Sequence, residues 1–327
     1  MPVMTYREAL NKCLREEMAR DENVFLMGED IGTFDGAYKV TQGLLNEFGP
    51  KRVRDTPIAE EIIAGCAIGA AMVGLRPVIE FMTINFILVA IDQIVNNAAK
   101  IRYMFGGEAS VPMVIRTPGG AGGQLSAQHS QCLEAWFANV PGLHVVAPST
   151  PTDARAMLKT AIRGSDPVLF VENLHLYNTR GEVPDAEELV PFGKARIARE
   201  GSDITLVSHS RMVLMALQAA EVLAKEGIEA EVVDLRSLRP LDRKTIIKSV
   251  SKTSRAVVVE EDWPMYGVGA EIAATIQEGA FDYLDAPVLR VGLADVPMPY
   301  SKVLEKAAIP DVERVVAAAH RTLERRR

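Results

Sequence analysis

An α/β protein of two domains is what the 327 residues predict, and three observations carry that expectation. The length exceeds what one hydrophobic core usually holds. Short β-rich apolar runs alternate with helical stretches, the pattern of a parallel sheet covered on both faces. A polar, proline-bearing stretch then divides the alternation in two. In chain order, Thr5-Tyr6-Arg7-Glu8 makes a capping box, and Leu10, Cys13, Leu14 and Met18 follow at helical spacing. NVFLMGED (23–30) reads as a buried strand, with further strands over 77–82, 112–117, 144–149 and 167–173. Helical stretches lie between them over 60–73, 86–104, about 129–139 and, after a cap at Ser149 to Thr152, 152–163. From Tyr177 to about Ser202 the chain lacks sustained periodicity, which sets the expected domains at 1–185 and 203–327 with a linker over 186–202. Strands over 203–210, 229–238 and 255–262 form the second unit, with helices starting near Met212, Asp242 and Val268. The closing HRTLERRR puts basic residues in a last helical turn, where they suit the macrodipole.

A formal net charge of -7 gives no electrostatic footprint for nucleic acid or an anionic membrane. The longest apolar run, Ile62 to Leu75, is too short to span a bilayer and reads as a buried helix. The start, MPVMTYREAL, has neither signal-peptide nor transit-peptide character, so a cytoplasmic location is expected. Cys13, Cys66 and Cys132 are odd in number, widely separated and set among apolar residues, which fits reduced core thiols.

RDTPIAEEIIAGCAIGAAMVG (54–74) delivers Glu60 and Glu61 through a proline turn to the mouth of a helix built from small residues. Ala64, Gly65, Ala67, Gly69, Ala70, Ala71 and Gly74 let another backbone approach closely, as at a domain or subunit interface. Glu60 stands beside the positive end of the dipole, which is either a routine helix start or a placed carboxylate. Asp92, inside an otherwise apolar run, reads as a buried acid that needs a partner or a raised pKa. His129 follows a glycine loop, as a cap or at the entry to a pocket. Neither glycine-rich stretch is a classical nucleotide site: TPGGAGGQ (117–124) lacks Gly-Lys-Ser/Thr, and YGVGAEIAA (266–274) lacks the third glycine.

Order ties these together: GED (28–30), DTPIAE (55–60), GLRPVIEFMTINF (74–86), AIDQI (90–94), YMFGG (103–107), AQHSQ (127–131), LRSLRPLD (235–242) and DVPMPYSK (295–302). The set closely resembles the beta subunits of thiamine-diphosphate-dependent 2-oxo acid dehydrogenases, nearest to the pyruvate dehydrogenase members, over essentially the whole chain. The resemblance implies a parallel-sheet, pyrimidine-type domain that binds thiamine diphosphate, followed by a transketolase-type C-terminal α/β domain. It implies two alpha and two beta chains, with the cofactor between an alpha and a beta chain and its diphosphate and magnesium on alpha. The sequence agrees by omission, having no Gly-Asp-Gly to pair with Asn96-Asn97.

On the same resemblance Glu60 hydrogen-bonds the aminopyrimidine and favours the imino tautomer that generates the ylid. Phe86 packs on that ring, and Ile58 and Met82 wall its pocket. Glu61 has no such counterpart and is expected to face solvent or an interface. Glu29 is expected at the cofactor and, with Glu60 and Asp92, in an acidic chain linking two active sites. His129 is expected near the reacting carbon, guiding a lipoyl arm or supplying a proton. Potassium is implied on the backbone carbonyls of Met113, Ala161, Ile162, Gly164 and Asp166. Gly164 departs from a common aspartate, and Val89 from a glutamine near the cofactor. The implied reaction is oxidative decarboxylation of pyruvate with reductive acetylation of the lipoyl group of a dihydrolipoyl acyltransferase core. An acetoin or branched-chain 2-oxo acid dehydrogenase beta subunit is the alternative enzyme, and a noncatalytic assembly and docking subunit the alternative of another class.

Overall fold

The computed structural model describes residues 2–324. One compact unit comprises the chain up to Gly119 together with Trp136–Phe192, and the other comprises Gly120–Ala135 with the chain from Gly193 onward.

In the first unit the parallel strands run side by side in the order His144–Val146, Val168–Asn173, Val114–Gly119, Arg76–Glu80, Val24–Gly28, Val53–Asp55. Register sets one row across their ends: Gly28 stands opposite both Asp55 and Glu80, and Glu80 opposite Arg116. From Val24–Gly28 the chain leaves for one side of the sheet, and from Arg76–Glu80 for the other. The carboxyl ends of these two neighbours therefore border a crevice, the place where α/β sheets bind ligands.

The helix Tyr6–Arg20 starts as expected: Glu8 N–H donates to Thr5 Oγ1 at 3.2 Å, and Thr5 N–H donates to Glu8 Oε2 at 2.7 Å. It packs on Pro151–Arg163, which begins with a Thr150 cap and proline in the first turn. Buried Glu17 accepts from Arg163 Nη2 at 2.7 Å between the two helices.

Several elements differ from expectation. The 86–104 stretch is three pieces: a 3-10 turn Phe86–Ala90, a π turn Gln93–Ala98 and a short helix Ile101–Met104. Apolar spacing alone cannot register such a slip of the ladder. The slip leaves Asp92 exposed, where its carboxylate accepts from Asn96 Nδ2 at 2.6 Å, so it is not a buried acid. The small-residue helix, Glu60–Met72, is not buried all round: Ile62 is 66 % exposed, and Cys66 also faces outward. Cys13 and Cys132 are buried and all three thiols are free. The helix expected over 129–139 is only Glu134–Ala138. Of the stretch without periodicity from Tyr177 to about Ser202, Arg180–Glu182 pairs with Val3–Thr5, and Arg196–Arg199, inside the expected linker, joins the second unit's sheet antiparallel to Ala230–Asp234.

That second sheet runs Leu289–Val291, Ala256–Val259, Ile204–Ser208, Ala230–Asp234, Arg196–Arg199. Leu206, Val232 and Val257 pack there with Val213, Ala216 and Ala220 of the helix Met212–Lys225 and with Val315 and Ala319 near the chain's end. The 229–238 run breaks at Arg236, whose φ is +57°. The last helix, Val312–Leu323, carries His320 and Arg321 in its final turn; Arg325 to Arg327 lie outside the described residues. Among the described residues no helix is long and apolar enough to cross a membrane.

Gly142 is one position where glycine is required. Its φ is +94°, and a Cβ would lie 1.9 Å from the Ala99 carbonyl oxygen. Gly142→Ala is expected to destabilise the fold by well over about 1 kcal/mol, read as a lowered urea midpoint.

Candidate functional site

Three segments leave the strands beside the crevice. Glu29 follows Val24–Gly28, Phe81 to Phe86 follow Arg76–Glu80, and Glu60 opens the helix that follows Val53–Asp55. The loop after Glu29 is pinned by Asp55, whose carboxylate accepts from Gly32 N–H at 2.6 Å and Thr33 N–H at 2.9 Å. The Glu60 helix packs against the Phe86–Ala90 turn.

Glu29 and Glu60 are both buried. Glu29 Oε1 has no hydrogen-bond partner, and no hydrogen bond or ion pair engages the Glu60 carboxylate among the described residues. Burial, then the charge of Glu60, then Asp30 and Glu80, push the Glu29 carboxyl up to about 7. Met82 and Phe86 are half-buried, and Ile58 is 79 % exposed. Glu61 is exposed. A buried acceptor on Glu29 without a donor, and an unbonded Glu60 carboxylate on a buried residue, suit a ligand that carries N–H groups, as an aminopyrimidine does.

Beneath this rim lies a network that the sequence reading missed. Fully buried Arg116 donates from Nη1 to Glu80 Oε2 at 2.5 Å, and from Nε and Nη2 to Glu172 at 2.7 and 2.8 Å. Tyr177 Oη donates to Glu172 Oε2 at 2.6 Å, and the Tyr177 ring stacks on Tyr38. The signal was present: three consecutive sheet neighbours each carry a charged residue near the carboxyl end of an apolar run.

His129 belongs to the other unit, at the end of the short turn Ala127–His129, where its N–H donates to Ser126 O at 3.3 Å. Its segment is tethered within that unit: Ala121 N–H donates to Glu261 Oε1 at 3.1 Å, and Gln124 N–H to Glu305 Oε2 at 2.7 Å. Burial drives the carboxyls of Glu134 and Glu260 up to about 8 and that of Asp262 up to about 7. None of these three was singled out from the sequence. Among the described residues no group of three or more His, Cys, Asp and Glu is arranged to hold a metal ion.

Four of the five carbonyls expected for potassium already accept a hydrogen bond. Met113 O accepts from Val168 N–H at 3.0 Å, and Ala161 O from Gly164 N–H at 3.2 Å. Ile162 O and Gly164 O both accept from Arg76 Nη1 at 2.8 Å. The Asp166 side chain pairs with Arg102 Nε at 2.8 Å.

The folded Glu29 carboxyl binds its proton more tightly than the unfolded one. Its contribution to stability is therefore present below the ordinary carboxylate value of about 4.5 and is lost as pH rises through about 7. Glu29→Gln is expected to gain stability relative to the parent at pH 8 but not at pH 4.5, measured by urea unfolding at both.

Comparison with known proteins gives consistent matches. Residues 3–179 match the family model described as transketolase, pyrimidine binding domain, and residues 193–315 that described as transketolase, C-terminal domain. The chain is 55 % identical over 326 residues to pyruvate dehydrogenase E1 component subunit beta-2, mitochondrial, of Oryza sativa subsp. japonica, covering 98 % of this chain and 87 % of that one. It is 54 % identical over 319 residues to the E1 component subunit beta of Rhizobium meliloti, covering 97 % and 69 %. It is 52 % identical over 325 residues to the mitochondrial subunit beta of Homo sapiens, covering 98 % and 90 %. A solved structure described as a split gene transketolase, inactive beta4 tetramer, matches with a TM-score of 0.82 at 26 % identity, covering 99 % of each chain.

Proposed function

The chain belongs to the family of pyruvate dehydrogenase E1 component beta subunits, and on that premise we propose that it joins an alpha subunit to decarboxylate pyruvate oxidatively and hand the acetyl unit to the lipoyl group of a dihydrolipoyl acyltransferase core. The observation that carries this is Glu60: a buried residue whose carboxylate has no hydrogen-bond partner among the described residues, at a helix start beside the sheet's switch point. Thiamine diphosphate, when bound, supplies the electron sink that lets carbon dioxide leave a 2-oxo acid.

In this reading Glu60 holds a proton shared with the aminopyrimidine ring, and Phe86 with Met82 and Ile58 orients that ring. Glu29, with its carboxyl near 7, takes or gives a proton beside Glu60 at working pH. Arg116, bonded to Glu80 and Glu172, holds the floor under both. His129 serves the acetyl transfer. The diphosphate and magnesium fall to the alpha subunit, in a tetramer of two alpha and two beta chains.

The exposed apolar edge supports assembly. Ile58, Ile62, Met72, Val73 and Val89 are all at least 42 % exposed, and a Cβ at exposed Gly69 would meet nothing within 4 Å. Another chain's backbone can approach there closely.

Two measurements test the reading. With its alpha partner, thiamine diphosphate and magnesium, Glu60→Gln is expected to lose about two or more orders of magnitude in pyruvate decarboxylation, the scale of acid–base catalysis. Full activity in that variant would move the chain to an assembly and docking role. Faster turnover of acetoin or 3-methyl-2-oxobutanoate than of pyruvate would move it to a sister enzyme. Gly69→Leu is expected to keep the parent's circular dichroism yet fail to assemble with alpha, as read by analytical ultracentrifugation.

A further inference from the structure

Arg76 opens the strand Arg76–Glu80 and reaches the carboxyl end of the helix Pro151–Arg163. A helix end leaves its last carbonyls without intrahelical donors and carries the negative end of the dipole, so it calls for a cation. Nη1 sits between two of them, 2.8 Å from Ile162 O and 2.8 Å from Gly164 O, while Nε lies 3.6 Å from Asp21 Oδ2. A metal ion drawn to those two oxygens would meet a cationic N–H group already bonded to both. The guanidinium stays charged at every working pH, and a second positive charge beside it would be repelled.

The turn itself is drawn close. A Cβ on residue 164 would lie 3.3 Å from the Ala161 carbonyl oxygen and 3.4 Å from that of Thr160. Glycine, standing where the resemblance leads one to expect aspartate, removes that crowding at the turn whose carbonyl Arg76 holds. On the far side Arg102 pairs with Asp166 at 2.8 Å and donates to Ser165 Oγ at 3.1 Å, so two arginines hold the same turn from within the chain.

We propose that the Arg76 guanidinium is a built-in cation at the Ile162 and Gly164 carbonyls, taking the place of a potassium ion, so that this chain holds its 161–166 turn without a free monovalent metal. The expectation of potassium rests on the family reading; the hydrogen bonds do not. The test therefore reads stability and metal content, which the failure of Glu60 to support decarboxylation would leave untouched.

The chain, assembled with its alpha partner, is dialysed into choline chloride and then given potassium or sodium chloride at equal ionic strength. The expected result is a melting temperature that agrees within about 1 °C between potassium and sodium, and no retained potassium by elemental analysis. A potassium-specific rise, or stoichiometric retained potassium, overturns the proposal, and this arm needs no variant to fold. Arg76→Met is expected to melt about 5 °C lower in sodium and to regain at least half of that loss in potassium. An Arg76→Met protein that melts like the parent, or one that loses stability without any preference for potassium, also overturns it. Arg76→Lys, which keeps a positive charge, is expected to melt between the two and show a smaller preference.

Discussion

Arg116 is the residue on which the rest of the first unit's site depends. Its guanidinium ties the carboxyl ends of three adjacent strands, through Glu80 on one side and Glu172 on the other, with none of the three exposed by more than 7 %. Burying such ions is favourable only where geometry is good and the remaining oxygens are satisfied. Here the fork is bidentate on Glu172, and Tyr177 satisfies a further lone pair. Removing one member of a buried pair of this kind typically costs about 3–5 kcal/mol, because the other charge is left uncompensated. Strand ends so fixed have little freedom to shift, and the loops that leave them inherit that precision.

Above this hydrogen-bonded floor, where one guanidinium faces two carboxyls, the charge balance is incomplete. Glu29 and Glu60 have no cationic partner among the described residues, and Glu80, whose charge also bears on Glu29, is already bonded to Arg116. The sheet supplies rigidity and the rim supplies unmatched acceptors. An arrangement of this kind is unfavourable for the isolated chain and becomes favourable when a donor-bearing ligand and another chain's surface arrive.

Much of this was legible in the residues and some was not, for physical reasons. The Thr5–Glu8 box, the Thr150 cap and the alternation of strands and helices report local chemistry, so they survive into the structure. Glu60 was legible through the ordered motifs that carry the resemblance, since a carboxylate at a helix start is by itself routine. The broken 86–104 stretch was not, because 3-10, α and π turns share nearly the same apolar spacing. Asp92 and Cys66 followed from that and from the open face of the small-residue helix, since a sequence does not say which apolar face awaits another chain. For Arg116 the charged run-ends are visible in the sequence but their pairing is not: its partners are 36 and 56 residues away, and strand register brings them together.

The division of the chain has a consequence for its biosynthesis. Gly120–Ala135 belongs with residues that begin only at Gly193, yet both its neighbours in sequence belong to the other unit. The carboxylates that receive its Ala121 and Gln124 amides, Glu261 and Glu305, leave the ribosome more than a hundred residues later. The segment therefore lacks these two acceptors while the strands on either side of it are made. A gene cut at Gly193 would not yield two self-sufficient products, because the later half would lack a piece of itself that the earlier half carries.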